Sequence, residues 1–264
     1  SKARDPTHKL MRTLGALLTA EQTKSTGIPA AHVIIDDRYI GAFRPRWTLF
    51  AIDTVEDGYS TIGVTYNGNI IRAYVKPSTG VLYVQLVTDT SVVAQWKAWT
   101  SLATGVSPTA PISLAWDGVT IQAIFYVLAD NRTITVRQSA DNGVSWATAV
   151  TVATLAAAHT CRCLAGTLNG GLGTLYCFYS DTTTAGGATT IYSRTRAEAG
   201  GAWSAATGWE RSDFTNPAGM YVNGTGATFY VFLCFGGTLR EYAVTNLAAW
   251  PAPTDRMKSD DPAV

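Results

Sequence analysis

Charge is scarce in this chain. Only 15% of its 264 residues are Asp, Glu, Lys or Arg, and the signs cancel: 20 basic residues against 19 acidic ones leave a net charge of +1. An ordinary soluble protein carries about 25% charged residues. Binding to a polyanion draws on a surplus of Lys and Arg, so this balance sets nucleic acid and anionic lipid aside as expected partners. Long apolar runs are missing too. The longest, near 122–129 and 228–236, have the length of a strand and fall short of the roughly 18 to 20 residues that a membrane-crossing helix requires, so membrane insertion is not expected. Cysteine is sparse: Cys161, Cys163, Cys177 and Cys234 sit among apolar neighbours without CxxC spacing, which predicts buried small hydrophobes and synthesis in a reducing compartment. The apolar patch from Leu14 to Ala20 is too short for a secretory leader and runs into Glu21. In place of charge the chain has 37 threonines, 24 glycines and a 47% hydrophobic fraction.

Asp5 and Pro6, followed by a stretch that ends at Gly27 and Pro29, read as a capped helix. Leu10, Met11, Leu14, Leu17 and Leu18 fall on one stripe of it. Such a stripe either packs on the domain behind it or docks onto another protein.

From Ala31 onward the period changes from helical to alternating, with β-branched and aromatic runs separated by Gly, Asn, Asp and Pro. Trp47, Trp96, Trp146, Trp203 and Trp250 stand 49, 50, 57 and 47 residues apart, each beside a strand-like stretch. A unit of about 50 residues holding four strands is the size of a propeller blade. The expected fold is therefore all-β: a β-propeller-like repeat of four-stranded blades, about five units in a closed or incomplete ring, preceded by one N-terminal helix. The first unit is short. The expected domains are a docking helix at 1–27, the repeat domain at 28–255 and a polar tail at 256–264. The 57-residue interval predicts an exposed insertion at Asp181 to Thr190, whose sequence is Thr- and Gly-rich.

The best-preserved unit holds Ser139, Asp141, Gly143 and Trp146 in the string SADNGVSW. This string is similar to the Asp-box, SxDxGxxW, of sialidase-like BNR repeats. The resemblance implies a structural turn, with Ser and Asp satisfying backbone donors, Gly accepting a positive φ and Trp packing between blades. RAEAGGAW keeps Glu198, Gly200 and Trp203 of the pattern; DTSVVAQW and AVTNLAAW keep little beyond Trp96 and Trp250.

Candidate chemistry is thin. A sialidase-type site needs an arginine triad, a nucleophile pair and an acid/base carboxylate; Phe43-Arg44-Pro45 resembles that family's Phe-Arg-Ile-Pro segment without the Ile. The carboxylates mostly occupy turn strings such as DD, VEDG, WDG and ADN. His159, Cys161 and Cys163 alternate in HTCRC, with Arg162 facing the other way, and lack a fourth ligand nearby. The NGGLG string at Asn169 to Gly173 lacks a Walker Lys and reads as a turn between strands, as do Asn131-Arg-Thr133 and Asn223-Gly-Thr225. No catalytic residue, metal site or cofactor is expected.

Residues 14–75, from LTAEQTKSTGIPAAHVIIDDR to the GVTYNGNIIRAYV stretch, resemble the opening of tail-associated proteins of bacteriophages. That resemblance implies a virion structural protein at the tail tip, baseplate or fibre base, multicopy, bound to other virion proteins, and contributing to host-surface attachment, with a surface glycan as a further partner. The alternatives are a carbohydrate-binding propeller, with Trp99, Trp116 or Trp209 offered to a sugar face, and a sialidase-like glycoside hydrolase.

Overall fold

The computed structural model describes residues 60–64, 70–88, 98–120, 122–169, 173–184, 188–215, 217–225, 228–235 and 238–258. The chain divides into two compact units, Ser1–Asp57 and Gly58–Val264, and everything below concerns the second. The helix expected at 1–27 with its leucine stripe, the short first unit, Trp47, Trp96 and Arg44 all lie outside the described residues.

Four antiparallel sheets follow one another. The first holds β1 (Ser60–Val64), β2 (Ile70–Lys76), β3 (Val81–Val87) and β4 (Thr100–Ala103), and the second β5 (Ser113–Trp116), β6 (Gln122–Val127), β7 (Thr133–Ser139) and β8 (Val150–Thr154). A two-residue strand, β9 (His159–Thr160), leads into the third, which runs β10 (Leu164–Asn169), β11 (Thr174–Thr183), β12 (Ala188–Ala197) and β13 (Thr207–Thr215). The fourth is β14 (Gly219–Thr225), β15 (Thr228–Phe235), β16 (Thr238–Val244) and β17 (Thr254–Lys258). Within each sheet the strands pair in chain order, and the first strands stand side by side: β1 next to β5, β5 next to β10, β10 next to β14. Meanders fanned about a shared row of first strands are propeller blades. Among the described residues there are four.

Strand burial reports each blade's place in the stack. β6, QAIFYV, is buried along its whole length, and β11 is buried from Leu175 to Ser180, because their blades are covered on both faces. β2 and β15 instead alternate buried with partly exposed residues, since one face of each of those blades packs on a described neighbour. Three apolar layers result. Ala73, Val75, Leu82 and Val84 meet Ile124 and Tyr126 between blades one and two. Phe125, Val127 and Ile134 meet Leu164, Leu175 and Cys177 between two and three. Tyr176 and Phe178 meet Phe229, Val231 and Leu233 between three and four. Each such side chain, taken fully out of water, contributes about 1.5–3 kcal/mol.

The repeated tryptophans sit in the loop from third to fourth strand of their blades and close on the blade before. Trp146 packs on the layer shared with blade one. Trp203 sets its edge against Phe125 of blade two, 6.4 Å between centroids, and Trp250 meets Phe178 of blade three at 6.2 Å.

Two readings of loops are corrected. The described residues of the stretch from Asp181 to Thr190 are strand but for Thr184: β11 and β12 are each ten residues long and carry the extra length of the third unit. Thr182 and Thr189 there are fully buried, and their hydroxyls bond each other at 3.0 Å, which lets threonine occupy a dry strand face. Asn223-Gly224-Thr225 likewise belongs to β14, paired with β15. Asn131 does lie in the turn between β6 and β7, at φ 57°. β17 runs to Lys258.

Candidate functional site

Strand alternation gives the blades two ends. At one lie the hairpins from first to second and from third to fourth strand. At the other lie the second-to-third hairpins and the connectors that carry the chain to the next blade.

The Asp-box sits at the first end, in the β7–β8 loop. Ser139, almost fully buried, donates its hydroxyl to Asp141 Oδ1 at 2.7 Å and accepts the Gly143 N–H at 2.8 Å. Asp141 accepts the Ser145 N–H at 2.9 Å and the Ser145 hydroxyl at 2.5 Å. Burial alone would raise the Asp141 carboxyl, but the hydrogen bonds from Ser145 and Ser139 outweigh it and hold the group below its ordinary value. Gly143 has φ 84°, and a Cβ there would stand 2.4 Å from Ile71 Cδ1 of blade one. The absent side chain is what lets this turn press on its neighbour. Its hydrogen bonds are spent within the loop.

Also at this end, Asp117 and Glu198 approach each other from the β5–β6 and β12–β13 loops. Burial raises the Glu198 carboxyl, and the Asp117 charge raises it further. The Glu198 Oε1 atom is buried without a hydrogen-bond partner. Sequence placed both residues in turns; that two blades bring them together depends on register between blades.

The opposite end holds a cavity of about 460 Å³ lined by Thr109, Asn131, Thr160, Cys161, Arg162, Pro217 and Ala218. Three blade connectors and one hairpin therefore converge on it. Asn131 closes the β6–β7 turn; its backbone carbonyl accepts the Cys161 N–H at 2.9 Å, and its side-chain oxygen accepts the Ser107 hydroxyl. The neighbouring Asp130 carboxylate is occupied by the N–H groups of Arg132 and Thr133, both at 2.9 Å, and by the Thr133 hydroxyl at 2.7 Å. Thr160 Oγ1 is buried with no hydrogen-bond partner. Arg162 is exposed, between buried Cys161 and Cys163. Its backbone N–H donates to Ser180 Oγ at 2.9 Å. The alternation expected for HTCRC thus places Arg162 at the cavity while the two thiols point inward; His159 bonds Asp181 through Nδ1.

Burial pushes the Cys163 thiol up to about 12, with Cys234 adding to the rise. Burial also raises Cys161 and Cys177, each helped by a neighbouring cysteine. Among the described residues no group of three or more His, Cys, Asp or Glu side chains is arranged to hold a metal ion.

A second cavity, of about 360 Å³, runs between the first strands of blades two, three and four and is lined in part by Trp116, Thr167, Met220, Tyr221 and Asn223. Tyr221 is 63% exposed. The other tryptophans weighed for sugar stacking serve packing: Trp99 sets its edge on Tyr74 at 4.8 Å beneath Arg72, and Trp209 stacks on Trp250. Thr109, Asn131 and Thr160 were not legible as site residues, because they come from two different blade connectors and a hairpin. Only the outward phase of Arg162 in HTCRC was visible in sequence.

No protein-family model matches the chain, and no curated protein matches it. Solved structures do share its fold. The SapL1 lectin in complex with alpha methyl fucoside aligns with a TM-score of 0.55 and 16% identity, covering 81% of this chain and 70% of the lectin. The alpha-L-arabinanase of Penicillium chrysogenum complexed with arabinobiose aligns at 0.52 and 16%, covering 75% and 66%. The Hadza microbial sialidase Hz136 aligns at 0.51 and 11%, covering 77% and 47%. The chain thus spans less than half the length of the sialidase and about two thirds of the arabinanase. At these identities the similarity is one of fold: the described blades form an all-β propeller of the kind found in both glycan-binding and glycan-cleaving proteins.

Proposed function

We propose that this propeller binds carbohydrate, and that the connector-end cavity is where it does so. The observation that carries this reading is the lining itself: a guanidinium, a side-chain amide and threonine hydroxyls, brought from separate connectors and a hairpin to one concave site. Saccharides present many hydroxyls that both donate and accept, and a cavity with a few fixed polar groups on a rigid scaffold suits them. The SapL1 lectin bound to a fucoside supports the reading at the level of fold. The test is a glycan array probed with the full chain and with Asn131→Ala and Arg162→Ala. Binding to a defined set of glycans, weakened at least tenfold in both variants at unchanged melting temperature, supports the reading; an array with no binding overturns it. Release of reducing sugar from a bound glycan would move the reading to the hydrolase alternative.

A second reading concerns the setting. The resemblance of residues 14–75 to phage tail-associated proteins favours a particle-borne, multicopy propeller that meets its glycan at a host surface, with residues 1–27 as the docking segment. Removing 1–27 would then abolish co-purification with particles while leaving glycan binding intact. Unchanged incorporation would count against that setting.

A further inference from the structure

We infer that the connector-end cavity selects saccharides carrying an acidic group, a carboxylate or a sulfate ester, with Arg162 as the receptor for that group and Ser180 as the residue that positions it; this rests on the carbohydrate-binding reading above. Among the described residues the lining offers side-chain donors and no carboxylate. Arg162 is exposed at the cavity, and among the described residues no carboxylate pairs with it. The acidic residues next in sequence to Asn131 and Ser180 are engaged elsewhere, Asp130 in its own turn and Asp181 with His159. Asn131 spends its side-chain oxygen on the Ser107 hydroxyl, which leaves its amide N–H groups as donors, and the buried Thr160 hydroxyl has no partner. A guanidinium, an amide and a hydroxyl, all able to donate, match a group that only accepts.

Ser180 fixes the geometry. Fully buried on β11, it accepts the N–H of Arg162 at 2.9 Å and of Cys163 at 2.8 Å on one oxygen, and its own N–H donates to the Cys163 carbonyl at 2.9 Å. Two residues earlier in the connector, Thr160 pairs in register with Thr182. The backbone under Arg162 is therefore anchored on both sides, so the anion site is organised before ligand arrives.

The test is titration calorimetry of the full chain with three matched forms of one oligosaccharide from the array: neutral, carboxylated and sulfated. Either acidic form should bind at least tenfold tighter than the neutral one, and the difference should shrink as salt rises. Arg162→Gln should erase the preference, so that the acidic forms bind no tighter than the neutral one. Ser180→Ala should reduce the preference, whereas Thr182→Val, which also disturbs a buried hydroxyl of β11, should not. Equal binding of neutral and acidic forms overturns the inference and leaves the carbohydrate reading standing. Absence of any binding removes both. An undiminished preference in Ser180→Ala overturns the positioning role.

Discussion

Trp209 of blade three stacks on Trp250 of blade four, with ring centroids 4.6 Å apart and planes 19° from parallel. Tyr242 closes on the edge of Trp209 at 5.2 Å, and Phe178 reaches Trp250 from the other side. Trp250 is 9% exposed, so its truncation leaves a cavity that rigid sheets refill poorly. Trp250→Ala should cost about 3–5 kcal/mol, with Trp250→Phe well below that. Trp146 is only half buried, and Trp146→Ala should cost less than Trp250→Ala. Denaturant midpoints at constant slope measure the difference; an unmoved midpoint for Trp250→Ala would deny the inter-blade role.

The Asp-box turn makes a pH prediction. The folded Asp141 carboxyl lies below its unfolded value, so the stability it adds is present above about pH 4 and is lost as pH falls through the folded value. Asp141→Asn should flatten that acid limb. Ser139→Ala, which removes a buried hydroxyl serving two partners, should cost about 1–2 kcal/mol at neutral pH. Melting curves between pH 3 and 7 check both, and identical acid limbs would overturn the assignment.

Glu198 has the opposite sign. Its folded carboxyl is raised by burial and by Asp117, so ionisation weighs against the folded state above the shifted value. Glu198→Gln should raise the melting temperature at pH 7, and the gain should shrink as pH falls through the raised value of the native carboxyl and be gone near its ordinary value, about pH 4. A gain that persists unchanged in acid would point to packing instead.

Gly166 marks a close approach of blades two and three. A Cβ there would fall 2.0 Å from Phe125 Cε2, a fully buried ring. Gly166→Ala should destabilise by about 1–3 kcal/mol through overpacking. Wild-type stability in urea would show that the ring can move aside.

The cysteines should be chemically silent. With Cys163 held near 12 by burial and Cys234, its thiolate fraction at pH 8 is on the order of 10⁻⁴. A thiol reagent at pH 8 should leave Cys161, Cys163 and Cys177 unmodified in the native protein and reach all four only after unfolding. Rapid native labelling of Cys161 would show the cavity floor opening.

Much of the fold was legible because blade architecture is written in local chemistry. Alternation, turn residues and the tryptophan interval specify four-stranded meanders, and SADNGVSW specifies its own loop. The stack order does not show: QAIFYV and TFYVFLCF are similarly apolar, and only the presence of a neighbour on each face makes the first buried throughout and the second alternate in burial. The Asp181 to Thr190 stretch misled because threonine suits both an exposed loop and a dry strand whose hydroxyls pair with each other.

The sequence by itself determined the antiparallel four-stranded meander of the described blades, since it follows from periods of two residues and about fifty. It also determined that Arg162 faces away from its two cysteines. Only the tertiary structure decided that Arg162, Asn131, Thr160 and Thr109 share one cavity, and that Asp117 faces Glu198. Those meetings depend on how far each blade is rotated and shifted against the next, which is set by the bulk of Phe125 against Gly166 and of Trp250 against Trp209, and packing between sheets leaves no periodic trace in the chain.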